Sequence, residues 1–176
     1  MFRIFLLCCV ASLLTPLGNA AMAGAAASTP HVQLTLEAEQ PSTPPGETLW
    51  LGLRFDLIPH WHVYWRNPGD SGEAPKVTWH LPAGWRAGEI RWPLPTRIPV
   101  GPLTNYGYED SVTLLVPIYP DGLARAGDSV RIGADVDWLV CREECIPEQA
   151  SLAIDVAIAA GPSADPAPGR FETIRS

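Results

Sequence analysis

Val136-Asp137-Trp138-Leu139-Val140-Cys141-Arg142-Glu143-Glu144-Cys145-Ile146-Pro147-Glu148 sets two cysteines three residues apart, between two apolar runs. Upstream, Ser129 to Val140 places Val130, Ile132, Ala134, Val136, Trp138 and Val140 at every second position. Downstream, Ser151 to Ile158 alternates in the same way. Period-two alternation is the pattern of a half-buried strand. A three-residue loop between two antiparallel strand ends can bring the cysteine Cβ atoms into bonding range. The pair is therefore either a small staple that locks a turn or a couple that exchanges electrons with a partner.

Outward from this hairpin the pattern repeats. His31 to Ala38 and Thr48 to Ile58 alternate cleanly and predict the first two strands. His60-Trp61-His62-Val63-Tyr64-Trp65 predicts an aromatic-rich strand ending at the turn cluster Asn67-Pro68-Gly69-Asp70-Ser71-Gly72. Short strands follow at Lys76 to Trp79 and Glu89 to Trp92, and a further one at Val112 to Ile118. Pro93, Pro95, Pro99 and Pro102 predict an extended loop between them. With 19 prolines and 15 glycines spread along the chain, long helices have no room. The expected fold is all-β, an antiparallel immunoglobulin-like β-sandwich of eight or so strands.

The 176-residue chain begins with Met1-Phe2-Arg3, an apolar run from Ile4 to Leu14, and a small-residue stretch from Gly18 to Ala27. That predicts a secretory signal peptide over 1–23, removing Cys8 and Cys9 with it. About 150 residues remain, enough for one domain with its own core. We place that domain at 29–160, followed at 161–176 by a Pro/Ala/Gly linker and the start of a continuation. Export puts Cys141 and Cys145 in an oxidising compartment, where a disulfide is expected unless something reduces it.

Net charge is −7, and the bases are almost all scattered arginines, with Lys76 the single lysine. Without a basic stripe, nucleic acid is not an expected partner.

A bridge closing so short a loop removes little chain entropy, so it stabilises little. Exposed or strained bridges are the labile ones. The spacing is not the C-x-x-C of thioredoxin, and no helix follows the first cysteine. Glu143 and Glu148, with Glu144, surround the pair; like charge raises a thiol's pKa, which makes Glu109, Glu143 and Glu148 candidate proton or charge modulators. His60-x-His62 would put two imidazoles on one strand face, a weak metal candidate with no third ligand nearby. Asn105-Tyr106-Gly107-Tyr108-Glu109-Asp110 reads as a β-turn or a lid over a reactive site.

Taken together, His60 to Gly72, Trp92-Pro93, Asn105 to Glu109, and Trp138 to Cys141 with Cys145-Ile146-Pro147-Glu148 resemble the N-terminal periplasmic domain of the DsbD thiol:disulfide interchange family. The branch represented by the suppressor of copper sensitivity protein ScsB is the more similar. The resemblance spans roughly residues 30–160.

It implies a periplasmic module, tethered to the inner membrane if the natural protein continues, of protein-disulfide reductase type and needing no cofactor. A membrane-embedded thiol reductase domain would donate electrons. Thioredoxin-like partners, of the disulfide isomerase or cytochrome c maturation type, would accept them. Cys141 and Cys145 match the redox pair, with Cys145 the sulfur that forms mixed disulfides. Tyr106, Gly107 and Tyr108 match a cap loop that shields it, Asn105 standing where better-studied members carry phenylalanine. The competing expectation is a non-catalytic β-sandwich with a structural disulfide that binds a partner protein or copper.

Overall fold

The computed structural model describes residues 24–121, 124–161 and 171. Twelve strands follow one another: β1 (Gly24–Ser28), β2 (Val32–Ala38), β3 (Ser42–Thr43), β4 (Leu49–Leu57), β5 (His62–Gly69), β6 (Lys76–His80), β7 (Arg86–Ala87), β8 (Thr96–Val100), β9 (Leu103–Glu109), β10 (Ser111–Tyr119), β11 (Ser129–Cys141) and β12 (Cys145–Ile158). One sheet runs β1-β2-β4-β10-β7; the other runs β3-β12-β11-β5-β9-β8, with β6 also paired to β11. Pairing is antiparallel throughout except between β12 and β3. Among the described residues no helix forms, and none is long and apolar enough to cross a membrane.

The two sheets close on the alternating residues read from the sequence. Leu34 and Leu36 of β2, Leu51, Leu53 and Phe55 of β4, and Leu114, Val116 and Ile118 of β10 face Ile132, Ala134, Val136, Trp138 and Val140 of β11 and Leu152, Ile154 and Val156 of β12. Phe55 meets Trp138 edge-on across the sandwich, ring centroids 5.5 Å apart. Each such side chain contributes about 1.5–3 kcal/mol when withdrawn from water. The even-numbered side chains of β11 and β12 thus face inward, and the odd-numbered ones face out.

Three local expectations are corrected. The turn at Asn67 begins later, because β5 runs on to Gly69 with a register shift after Tyr64. The proline-rich loop contains β8, whose one proline, Pro99, sits on the edge strand of its sheet, where a missing N–H is tolerated. The short strand at Glu89 to Trp92 reduces to a bridge from Arg91 to Leu115 beside β7.

The chain ends hold two further findings. The signal peptide expected over 1–23 lies outside the described residues, and β1 begins at Gly24, ahead of the expected domain start at 29. Most of 161–176 also lies outside, but Phe171 is buried against Gly52 of β4, where a Cβ would sit 2.6 Å from its ring.

Candidate functional site

Strands β11 and β12 pair over their full length, from Ser129↔Ala157 to Cys141↔Cys145. That register is why the two cysteines face each other. They are disulfide-bonded, with Cα atoms 4.2 Å apart, and the Arg142 amide donates to the Glu144 carbonyl at 3.1 Å inside the loop. The sulfurs are not equivalent. Cys141 is only 2% exposed, because β5 lies against it at His62. Cys145 is exposed; among the described residues the outer edge of β12 is paired only at Ala157 and Ile158, by β3.

Alternation decides what the disulfide meets. Trp138 and Val140 point into the core, so Cys141 points outward, and its partner Cys145 with it. On β5, Val63 belongs to the core, which turns His62 and Tyr64 to the outer face. The Tyr64 hydroxyl lies 3.4 Å from Cys145 Sγ. His62 stands edge-on to Tyr64 at 5.2 Å, and its Nε2, although buried, has no hydrogen-bond partner among the described residues. Register with β9 brings Gly107 opposite Tyr64 and Glu109 opposite His62.

The turn after β5 covers this face. Gly69 and Gly72 both adopt positive φ, 92° and 87°, which glycine alone does without strain. Asp70 and Thr104 tie the turn to β9 through Asp70 N to Thr104 O (3.1 Å) and Thr104 N to Asp70 Oδ2 (2.7 Å). Asn105, fully buried, accepts from Ser71 N and Ser71 Oγ at 3.1 Å each, and its Nδ2 donates to the same hydroxyl at 2.9 Å. Gly72 is thereby laid on the Tyr64 ring so closely that a Cβ would stand 2.1 Å from Cζ. Gly107 is equally required: a Cβ there would stand 2.2 Å from the Val63 carbonyl oxygen.

Burial sets the charge states. It raises the Tyr64 phenol, with the Ser71 hydrogen bond acting the other way, so Tyr64 stays a neutral donor. It lowers the His62 imidazole, with Glu109 opposing, so His62 is held neutral. It also raises Tyr108, with Arg66 opposing.

The candidate residues distribute as follows. Cys141, Cys145, His62, Gly107 and Glu109 share the outer face around the disulfide. Glu143 and Glu144 are exposed in the loop, while the Arg142 guanidinium lies over Trp61 at 5.6 Å. Glu148 is corrected: three residues from Cys145, it points to the opposite face of β12, where it binds His31 Nδ1 at 2.7 Å and accepts from the Thr29 hydroxyl. His60 and His62 do not share a strand face, because His60 is an exposed turn residue with φ 72° and β5 begins only at His62.

Asn105 to Glu109 is not a loop but strand β9. Alternation puts Tyr106 and Tyr108 on the face away from Gly107. Tyr108 packs in the core and donates to the Pro93 carbonyl at 2.8 Å, and Tyr106 is 37% exposed. Sequence reasoning missed Tyr64 and the structural use of Asn105 and Gly72; only strand register brings them to the cysteines.

The fold and this site define an immunoglobulin-like β-sandwich whose outer sheet face carries a covered, half-exposed disulfide. The chain belongs to the family described as thiol:disulfide interchange protein DsbD, N-terminal, matched over residues 31–157. Among solved structures it is similar to the N-terminal periplasmic domain of ScsB from Proteus mirabilis, at 22% identity and TM-score 0.65, covering 87% of this chain and 56% of that one. The chain thus spans little more than half the length of that relative. It is also matched by the Neisseria meningitidis DsbD N-terminal domain in the reduced form, at 10% identity and TM-score 0.38, covering 87% and 95%. No curated protein matches the sequence. Family membership and the bonded pair together support a thiol–disulfide exchange module.

Proposed function

We propose that this chain is a periplasmic electron relay that takes two electrons from a membrane-embedded thiol reductase and passes them to thioredoxin-like proteins. The observation carrying this reading is the asymmetry of the pair, with Cys145 exposed and Cys141 2% exposed. An incoming thiolate attacks Cys145 Sγ and forms a mixed disulfide; the Cys141–Cys145 bond breaks and its electron pair stays on Cys141. The donor's second thiolate then attacks its own sulfur in that mixed disulfide, releasing Cys145 as a thiolate. In the delivery half-cycle the Cys145 thiolate attacks an oxidised partner, and Cys141 displaces the partner as a dithiol. Attack rate depends on thiolate fraction and access, and Cys145 supplies the access.

The test is trapping. Cys141→Ala should accumulate a mixed disulfide with an oxidised thioredoxin-like protein, and Cys145→Ala should not. The reduction potential should fall between thioredoxin and the strong periplasmic oxidants, about −270 to −120 mV. No capture by either variant, with a potential below about −300 mV, would show a structural staple instead.

A further inference from the structure

On the disulfide face, His62 has incomplete bonding among the described residues. The residue is 3% exposed and its Nε2 is buried without a partner among the described residues. A buried nitrogen left unbonded costs about 1–3 kcal/mol, so the position demands a reason. His62 is the direct cross-strand neighbour of Cys141. Directly opposite residues of antiparallel strands carry their Cβ atoms about 4.5–5.5 Å apart on the same face. In the disulfide, Cys141 has no proton to give. Once the bond opens, it does.

We propose that His62 Nε2 is the proton acceptor and donor for Cys141, completing its hydrogen bond only in the reduced protein. This rests on the exchange reading above and adds the group that runs it. When a partner is held on Cys145, the Cys141 thiol gives its proton to Nε2. The resulting thiolate attacks Cys145 Sγ, the Cys141–Cys145 bond forms, and the bond from Cys145 to the partner sulfur breaks. The partner leaves with the electron pair. In the opposite direction Cys141 departs as a thiolate and takes a proton from His62, which has picked up from solvent the one that the attacking donor thiol gave up.

The setting fits a base. With the proton on Nδ1, Nε2 is a free acceptor, and burial keeps the ring neutral. The titratable groups facing it are few: Glu109 from β9, Cys141 from β11, Tyr64 on its own strand, and Cys145 beside Tyr64. Glu109 is exposed and favours the imidazolium when it forms. Tyr64 is already engaged with Cys145 Sγ. A thiol as buried as Cys141 otherwise has its thiolate disfavoured above the ordinary pKa of about 8.5.

Reaction of the reduced chain with an aromatic disulfide, 5,5′-dithiobis(2-nitrobenzoate), separates the steps. Cys145 attacks first and releases one thionitrobenzoate; Cys141 then displaces the second. His62→Phe, which keeps the edge-on ring, should leave the first release unchanged. It should slow the second by about tenfold or more near neutral pH and move its pH profile upward. His62→Gln, which cannot take the proton, should match it.

Wild-type imidazole titration by NMR should show His62 protonating at a different pH in the reduced and the oxidised chain. An unaltered second phase in both variants, or one titration point in both redox states, would overturn the role of His62 while leaving exchange intact. Absence of the first release would instead sink the exchange reading.

Discussion

The Tyr64 hydroxyl lies 3.4 Å from Cys145 Sγ, on the only sulfur of the disulfide that is exposed. The phenol is buried, its titration is pushed upward, and the Gly69–Gly72 turn is laid over its ring. Cys145 therefore faces solvent on one side and a fixed neutral donor on the other. A donor aimed at a sulfur stabilises its thiolate.

Removing that donor should raise the Cys145 thiol pKa. Hydrogen bonds to charged groups contribute about 1.5–3 kcal/mol, so Tyr64→Phe should slow alkylation of reduced Cys145 by roughly tenfold at neutral pH. Rates measured across pH should converge with wild type once the thiol is fully ionised. Equal rates at neutral pH would leave Tyr64 as packing alone.

Gly72→Ala adds a Cβ into the Tyr64 ring at a position with φ 87°. Left-handed strain and overpacking each cost of order 1–3 kcal/mol, so unfolding in urea should show a loss of about 2–4 kcal/mol. The same variant should be reduced faster by dithiothreitol, because a displaced turn uncovers the disulfide.

Asn105→Ala removes three hydrogen bonds to Ser71 from a fully buried site. The Ser71 amide then loses its acceptor. A loss of about 1–3 kcal/mol is expected, read as a lower denaturant midpoint with an unchanged slope.

Glu148 and Cys145 lie on opposite faces of β12, so stability and reactivity should separate there. Glu148→Ala leaves His31 Nδ1 and the Thr29 hydroxyl without their carboxylate, and losing a hydrogen bond to a charged group costs about 1.5–3 kcal/mol. The alkylation rate of Cys145 should stay at the wild-type value. A large rate change would return Glu148 to the list of charge modulators.

The pH dependence of folding carries the signature of His62. Its folded pKa lies below the ordinary 6.5, so the unfolded chain binds the extra proton first as pH falls. Stability of the oxidised chain should therefore be full above that value and decline as pH drops through it. His62→Phe should remove this part of the decline, which urea melts at neutral and mildly acid pH would reveal.

The sequence by itself determined the sandwich. Alternation at period two in β2, β4, β11 and β12 states which side chains must leave water, and two sheets are the arrangement that buries them. It also determined the cysteine hairpin, because thirteen paired residues and a three-residue loop admit one register.

Only the tertiary structure decided which residues serve that hairpin. Tyr64, His62, Gly72 and Asn105 lie 36 or more residues from Cys141 in the chain. They reach it through the pairing of β5 with β11 and β9 and through one turn folded back on its strand. Parity along a strand fixes a side chain's face, but nothing local fixes which neighbouring strand lies alongside. That is why Tyr106 and Glu148, close to the motifs in sequence, point away from the disulfide, while Tyr64 touches it. Pairing between distant strands is a property of the closed core, since a one-residue slip would turn every buried side chain outward.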